Sequence, residues 1–163
     1  MKNTSKITII VMVLSFVTMA STCNHEDENN HHTIQFINQS DKPIYVVGSG
    51  EYPDTLNVQG MDGGGLSQSQ WSKIYPNTQN KTALQRRSAW EYIFKNKERI
   101  FSDTLMVYVF DAELLESRDT HIYNTIIQRY DLSLQDLQYV NWMLIYPPSP
   151  NMSAIKMYPP YGK

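Results

Sequence analysis

Two β-rich runs, at 33–37 and 44–47, are separated by Asn38-Gln39-Ser40-Asp41-Lys42-Pro43, all turn formers, and this order predicts a hairpin. Six glycines between Gly48 and Gln70, with Gly63-Gly64-Gly65 among them, predict a long irregular loop, followed by a short strand at 71–75 that Pro76 stops. Ser88-Ala89-Trp90-Glu91 fits the capping-box pattern, and Trp90, Ile93 and Phe94 then share a helical face, so 89–98 is predicted helix. Lys95, Lys97 and Arg99 suit the negative end of its macrodipole. The unbroken apolar run at 104–110 reads as a strand buried on both faces. Behind Asp119 or Thr120, the spacing of Ile122, Ile126, Ile127 and Tyr130 predicts a further helix. Ser133-Leu134-Gln135-Asp136 repeats the capping logic for a short helix to Tyr139. Strands at 141–146 and 153–158 each stop at a Tyr-Pro-Pro, the second as an edge strand. The expected fold class is α+β: one domain with a mixed sheet of about five to six strands and two to three helices packed on one face.

The first residues follow another pattern. Lys2 and Lys6 precede an apolar run of 14 residues, 7–20, then small residues and Cys23. That is the order of a secretory signal, and the run is shorter than the ~20 residues of a spanning helix. Cys23 is the sole cysteine, so it cannot form an internal disulfide. Its place after Ala20-Ser21-Thr22, an imperfect lipobox, predicts lipidation, with a free secreted thiol as the alternative. The chain therefore divides into a signal peptide at 1–22, a tether at 23–32 and a globular domain at 33–163. The tether has no apolar residue after Cys23 and is expected to be disordered. Losing Lys2 and Lys6 leaves 12 basic residues against 16 acidic ones, a net charge of −4 over 141 residues. Nothing in that balance suggests nucleic acid. A domain of this size needs no disulfide and is expected to be a monomer.

Asn38-Gln39-Ser40-Asp41-Lys42-Pro43-Ile44-Tyr45, Tyr52-Pro53-Asp54-Thr55, Trp90-Glu91, Arg129-Tyr130-Asp131-Leu132-Ser133-Leu134-Gln135-Asp136-Leu137 and Asn141-Trp142-Met143-Leu144-Ile145-Tyr146-Pro147 occur in that order. Together they resemble small Bacteroidetes-type lipoproteins of unknown function, over most of residues 33–148. The resemblance implies two or three acyl chains, palmitate among them, on Cys23, and two suffice for stable anchoring. Glu26-Asp27-Glu28 looks like the acidic export signal of such lipoproteins, which implies a surface-exposed place on the outer membrane. No activity is carried over with it.

Candidate chemistry is sparse. His25, His31 and His32 near Glu26, Asp27 and Glu28 could bind a transition metal, but a flexible tether does not preorganise a site, and a spacer is the expectation. His121 is the one histidine of the domain available as a base, and no Gly-x-Ser-x-Gly elbow accompanies it. Asp111, Glu113, Glu116 and Asp119 could supply the carboxyl pair, ~5–9 Å apart, that hydrolyses a glycosidic bond. Gly60-Met61-Asp62-Gly63-Gly64-Gly65 lacks the lysine of a phosphate loop. Exposed rings among Tyr45, Tyr52, Trp71, Tyr75, Tyr146, Tyr158 and Tyr161 could stack on sugar or peptide. The reading is a non-enzymatic surface binding or assembly accessory, held to the membrane through Cys23, with a polysaccharide or protein partner and no cofactor. The alternative is a glycosidase-like envelope hydrolase using Asp111 with Glu113 or Glu116.

Overall fold

Strand β5 (Leu105–Asp111) is buried at every position, as an unbroken apolar run requires of a strand covered on both faces. It centres a five-stranded antiparallel sheet. On one side lie β2 (Ile44–Ser49) and β3 (Ser72–Ile74), on the other β6 (Ile126–Leu132) and β8 (Lys156–Tyr158). The second sheet is mixed: β1 (Thr33–Asn38) pairs antiparallel with β4 (Thr78–Gln85) and parallel with β7 (Met143–Tyr146). The structure, a computed structural model, describes residues 27–54, 71–117 and 119–163, which form a single α+β domain. Cys23, the expected signal at 1–22 and residues 55–70 of the expected glycine-rich loop lie outside the described residues.

The two sheets share one core. Ile34, Phe36, Leu84 and Leu144 of the small sheet meet Val46, Val107, Val109 and Tyr130 of the large one. Helix α1 (Trp90–Asn96) adds Trp90, Ile93 and Phe94 to it. Helix α2 (Ala112–Ser117) leaves β5 directly and packs Leu115 on the other face of the large sheet, with Trp71, Tyr108 and Phe110. Helix α3 (Leu134–Tyr139) returns Leu137 to the main core. Its capping box is complete: Asp136 N donates to Ser133 Oγ at 3.1 Å and Ser133 N to Asp136 Oδ2 at 2.8 Å. No helix among the described residues is long and apolar enough to cross a membrane.

Several local expectations change. β1 and β2 are strands, but they are not a hairpin, because each pairs in a different sheet. Their apolar faces oppose one another across the core, and the turn between them is an arch fastened by buried Asn38. Its amide donates to the carbonyls of Lys42 at 2.7 Å and Ile74 at 3.2 Å. The expected helix over 122–130 is a short 3₁₀ turn, Ile122–Thr125, followed by β6. β5 needs a ladder partner on that side, and an irregular register beside Phe110 lets Ile126 pack outward while Ile127 packs inward. β4 escapes the pattern because most of its residues are exposed and polar on an edge strand.

The box expected at Ser88 does not form. Ala89 is the N-cap and contributes no side-chain bond. Instead Trp90 N donates to the carbonyl of His31 at 2.8 Å, and Glu91 accepts from His31 N at 3.0 Å. The His31 ring lies 2.6 Å from Glu91 Oε1 and stacks on Trp142 with centroids 4.4 Å apart. The end of the stretch read as a tether is thus built into the domain and caps its first helix.

Candidate functional site

Alternation along β5, β6 and β8 turns Tyr108, Arg129, Asp131, Lys156 and Tyr158 away from the main core. Register then places them in two rows across the sheet. Tyr108 is opposite Arg129, which is opposite Tyr158; Met106 is opposite Asp131, which is opposite Lys156. Tyr52, in the segment after β2, reaches over from the second hydrophobic cluster. Its phenol oxygen accepts from Lys156 Nζ at 3.0 Å.

The charges on this face are ordered by burial. The Asp131 side chain is only 1% exposed, whereas that of Lys156 is 53% exposed. Arg129 Nε stands 2.8 Å from Asp131 Oδ1 as an ion pair without an in-line hydrogen bond, and Nη2 donates to Oδ2 at 3.2 Å. Lys156 Nζ approaches Oδ2 at 3.5 Å from the other side. A buried carboxylate requires such partners, since desolvation without them costs several kcal/mol. The guanidinium of Arg129 also lies 4.2 Å from the ring centroid of Tyr158. Lys156 stands between two rings, 5.1 Å from the Tyr52 centroid and 5.7 Å from that of Tyr158.

Two cations surround one acid, so the cluster carries a net positive charge. The hydrogen bond to Tyr52 holds the Lys156 ammonium above its ordinary range, and burial raises the Tyr108 phenol. Beside β8, an edge strand among the described residues, a shallow groove of about 440 Å³ is walled by Lys156, Tyr158 and Tyr161. The arrangement can stack a ring or apolar sugar face on tyrosine while an ammonium pairs with an anionic substituent.

The residues singled out from sequence fall elsewhere. Asp111 Oδ1 accepts from Glu113 N and Leu114 N, each at 3.0 Å, and so caps α2. Glu116 Oε1 is held by Lys73 Nζ at 2.5 Å and the Tyr45 hydroxyl at 2.8 Å. Glu113 and Asp119 are exposed, and His121 is exposed against the Tyr123 ring. His31 pairs with Glu91 rather than joining a cluster of ligands, and His25 and Glu26 lie outside the described residues. Among the described residues no group of three or more metal-ligating side chains comes together. Of the aromatic residues, Trp71 is buried, Tyr75 is exposed near Lys73, Tyr52 and Tyr158 flank Lys156, and Tyr161 lines the groove beside it.

Arg129, Asp131 and Lys156 were not candidates in the sequence. Their signal is the two-residue spacing of Arg129 with Asp131 and of Lys156 with Tyr158, legible once both segments are known to be strands. In comparisons with known proteins, no family model, no curated protein and no solved structure matches the chain.

Proposed function

We propose that this chain is a lipid-anchored cell-envelope protein that works by binding, and that the tyrosine and cation face of β5, β6 and β8 takes an acidic saccharide. The anchor is Cys23, at the end of the secretory signal and alone in the chain. The observation that carries the binding reading is the half-exposed Lys156 ammonium held between the rings of Tyr52 and Tyr158. Buried Asp131 fixes Arg129 and steadies Lys156, but leaves the cluster one positive charge in excess. A uronic-acid residue matches that face, with its carboxylate on Lys156 and its C–H face on Tyr158.

Fractionation and titration test the two halves separately. Cys23→Ala moves the protein from the membrane fraction to the soluble exported fraction; full retention in membranes would refute the anchor. On the resulting soluble chain, an oligogalacturonate binds in calorimetry and a neutral oligosaccharide of equal length binds much less. Lys156→Ala and Tyr158→Ala each weaken that binding about tenfold or more, the loss of one charge-assisted contact or stacked ring. Equal affinity for the neutral and acidic sugars, or indifference to both substitutions, would sink the saccharide reading.

A further inference from the structure

A second basic feature lies away from this face, where β4 runs into α1. There the chain forms a cleft of about 450 Å³, walled by Arg86, Arg87 and Ser88 on one side and by Glu98 and Arg99 on the other. Three arginines thus line one cavity with a single acid. Among the described residues, neither Arg86, Arg87 nor Arg99 has a carboxylate within ion-pair distance, and Glu98 pairs with none of them. The six ion pairs of the described residues are all made elsewhere.

Arg86 is the seat of the cleft. It is partly buried, and its guanidinium lies 5.7 Å from the ring centroid of Trp90, a side chain 1% exposed. Stacking on an indole orients a guanidinium without using its N–H donors, which stay free for a ligand in the cavity. Burial, and secondarily the charge of Arg99, pull Arg86 below its ordinary range, as expected of a desolvated cation beside another. Arg99 is exposed, but its backbone is held in place. Its backbone adopts φ 62, and an added Cβ on Gly50 would collide with its carbonyl, so Gly50 alone permits this approach. Phe101 N closes the contact by donating to Gly50 O at 3.0 Å.

The geometry points to an oxyanion site, formed by Arg86, Arg87 and Arg99, for a phosphate group. The excess of two positive charges on its walls matches a phosphate monoester, which carries about −1.5 to −2 at neutral pH. Guanidinium forks suit tetrahedral oxyanions, which accept two parallel N–H bonds from each fork. The location names a source. Arg86 N donates to His32 O at 2.9 Å, so the cleft adjoins the point where the segment from Cys23 enters the fold. The eight residue steps from Cys23 to His31 span at most about 29 Å when extended. A lipid anchor on Cys23 therefore keeps this cleft within reach of phospholipid headgroups, although the phosphate site itself does not depend on that anchor.

The test uses the unlipidated full chain, Cys23→Ala, with inorganic phosphate titrated at constant ionic strength against chloride. Phosphate raises the melting temperature and perturbs the amide resonances of residues 86–88 and 99 in saturable fashion. Arg86→Gln and Arg99→Gln each weaken it at least tenfold, and Arg86→Lys retains part of it. Near-ultraviolet circular dichroism shows whether each variant is folded. Sedimentation with vesicles of phosphatidic acid, compared with phosphatidylcholine alone, then assigns the source. Binding to phosphatidic acid vesicles that Arg86→Gln abolishes identifies a lipid headgroup, whereas phosphate binding without vesicle binding identifies a soluble phosphate ligand. A phosphate response no larger than that of chloride, or one untouched in folded Arg86→Gln and Arg99→Gln, overturns the site.

Discussion

At the scale of single residues, the same chemical type plays unlike parts according to burial. Trp90 is 1% exposed in the main core and carries Arg86 on its ring. Truncating such a ring costs about 3–5 kcal/mol, so Trp90→Ala should lower the urea midpoint sharply. His121 is exposed, and His121→Ala should leave the midpoint within error. A harmless Trp90→Ala would place the indole outside the core. Glu116 makes a different prediction. Its hydrogen bond with Lys73, then that with Tyr45, holds its carboxyl below the ordinary value. A depressed folded pKa stabilises the fold above the ordinary carboxylate range, and this contribution disappears as pH falls through the folded value. Glu116 is exposed, so the gain is small, about 0.2–1 kcal/mol. Wild type should exceed Glu116→Gln by that amount at pH 7, and the difference should shrink as pH falls below the ordinary carboxylate range.

At the scale of elements, two serine-led boxes with similar spacing end differently. Ser133 caps α3 through both reciprocal bonds, whereas Ser88 lies one residue before the N-cap of α1 and makes no capping bond. Ser133→Ala should therefore cost about 0.5–2 kcal/mol and Ser88→Ala much less, as read by urea denaturation. Comparable losses would mean that Ser88 caps α1 in solution. The difference has a tertiary cause, since the incoming chain supplies the His31 carbonyl and occupies Glu91. Local pattern suffices where a motif is closed within four residues. Where a neighbour distant in sequence competes for the same groups, it does not. β6 obeys the same logic: isoleucine spacing fits a helix, but pairing with β5 and β8 makes it a strand.

At the scale of the whole molecule, the domain begins before Thr33. Glu91 accepts from His31 N, His31 O caps Trp90 N, and the His31 ring covers Trp142, whose backbone is held at the unfavourable φ of 58. A chain starting at Thr33 should still fold without reductant or metal, but melt several degrees below one starting at Asp27, as about 1–2 kcal/mol would give in a domain this size. Identical melting temperatures would show that the docked segment contributes nothing. A chelator-sensitive transition in either would refute metal-free folding.

The sequence by itself determined what depends on neighbours along the chain. The α+β class, the buried run of β5, the face of α1, the capping box of α3 and the stops of β7 and β8 at tyrosine–proline steps all rest on contacts or patterns within a few residues. Tertiary structure decided what depends on register. The division into two sheets, the arch at Asn38, and the meeting of Tyr52, Arg129, Asp131, Lys156 and Tyr158 need partners up to 104 residues apart. The Arg86–Arg99 cleft likewise depends on Gly50, from a different strand connection. Periodicity fixes which side of a strand a residue faces, but only pairing fixes what stands beside it.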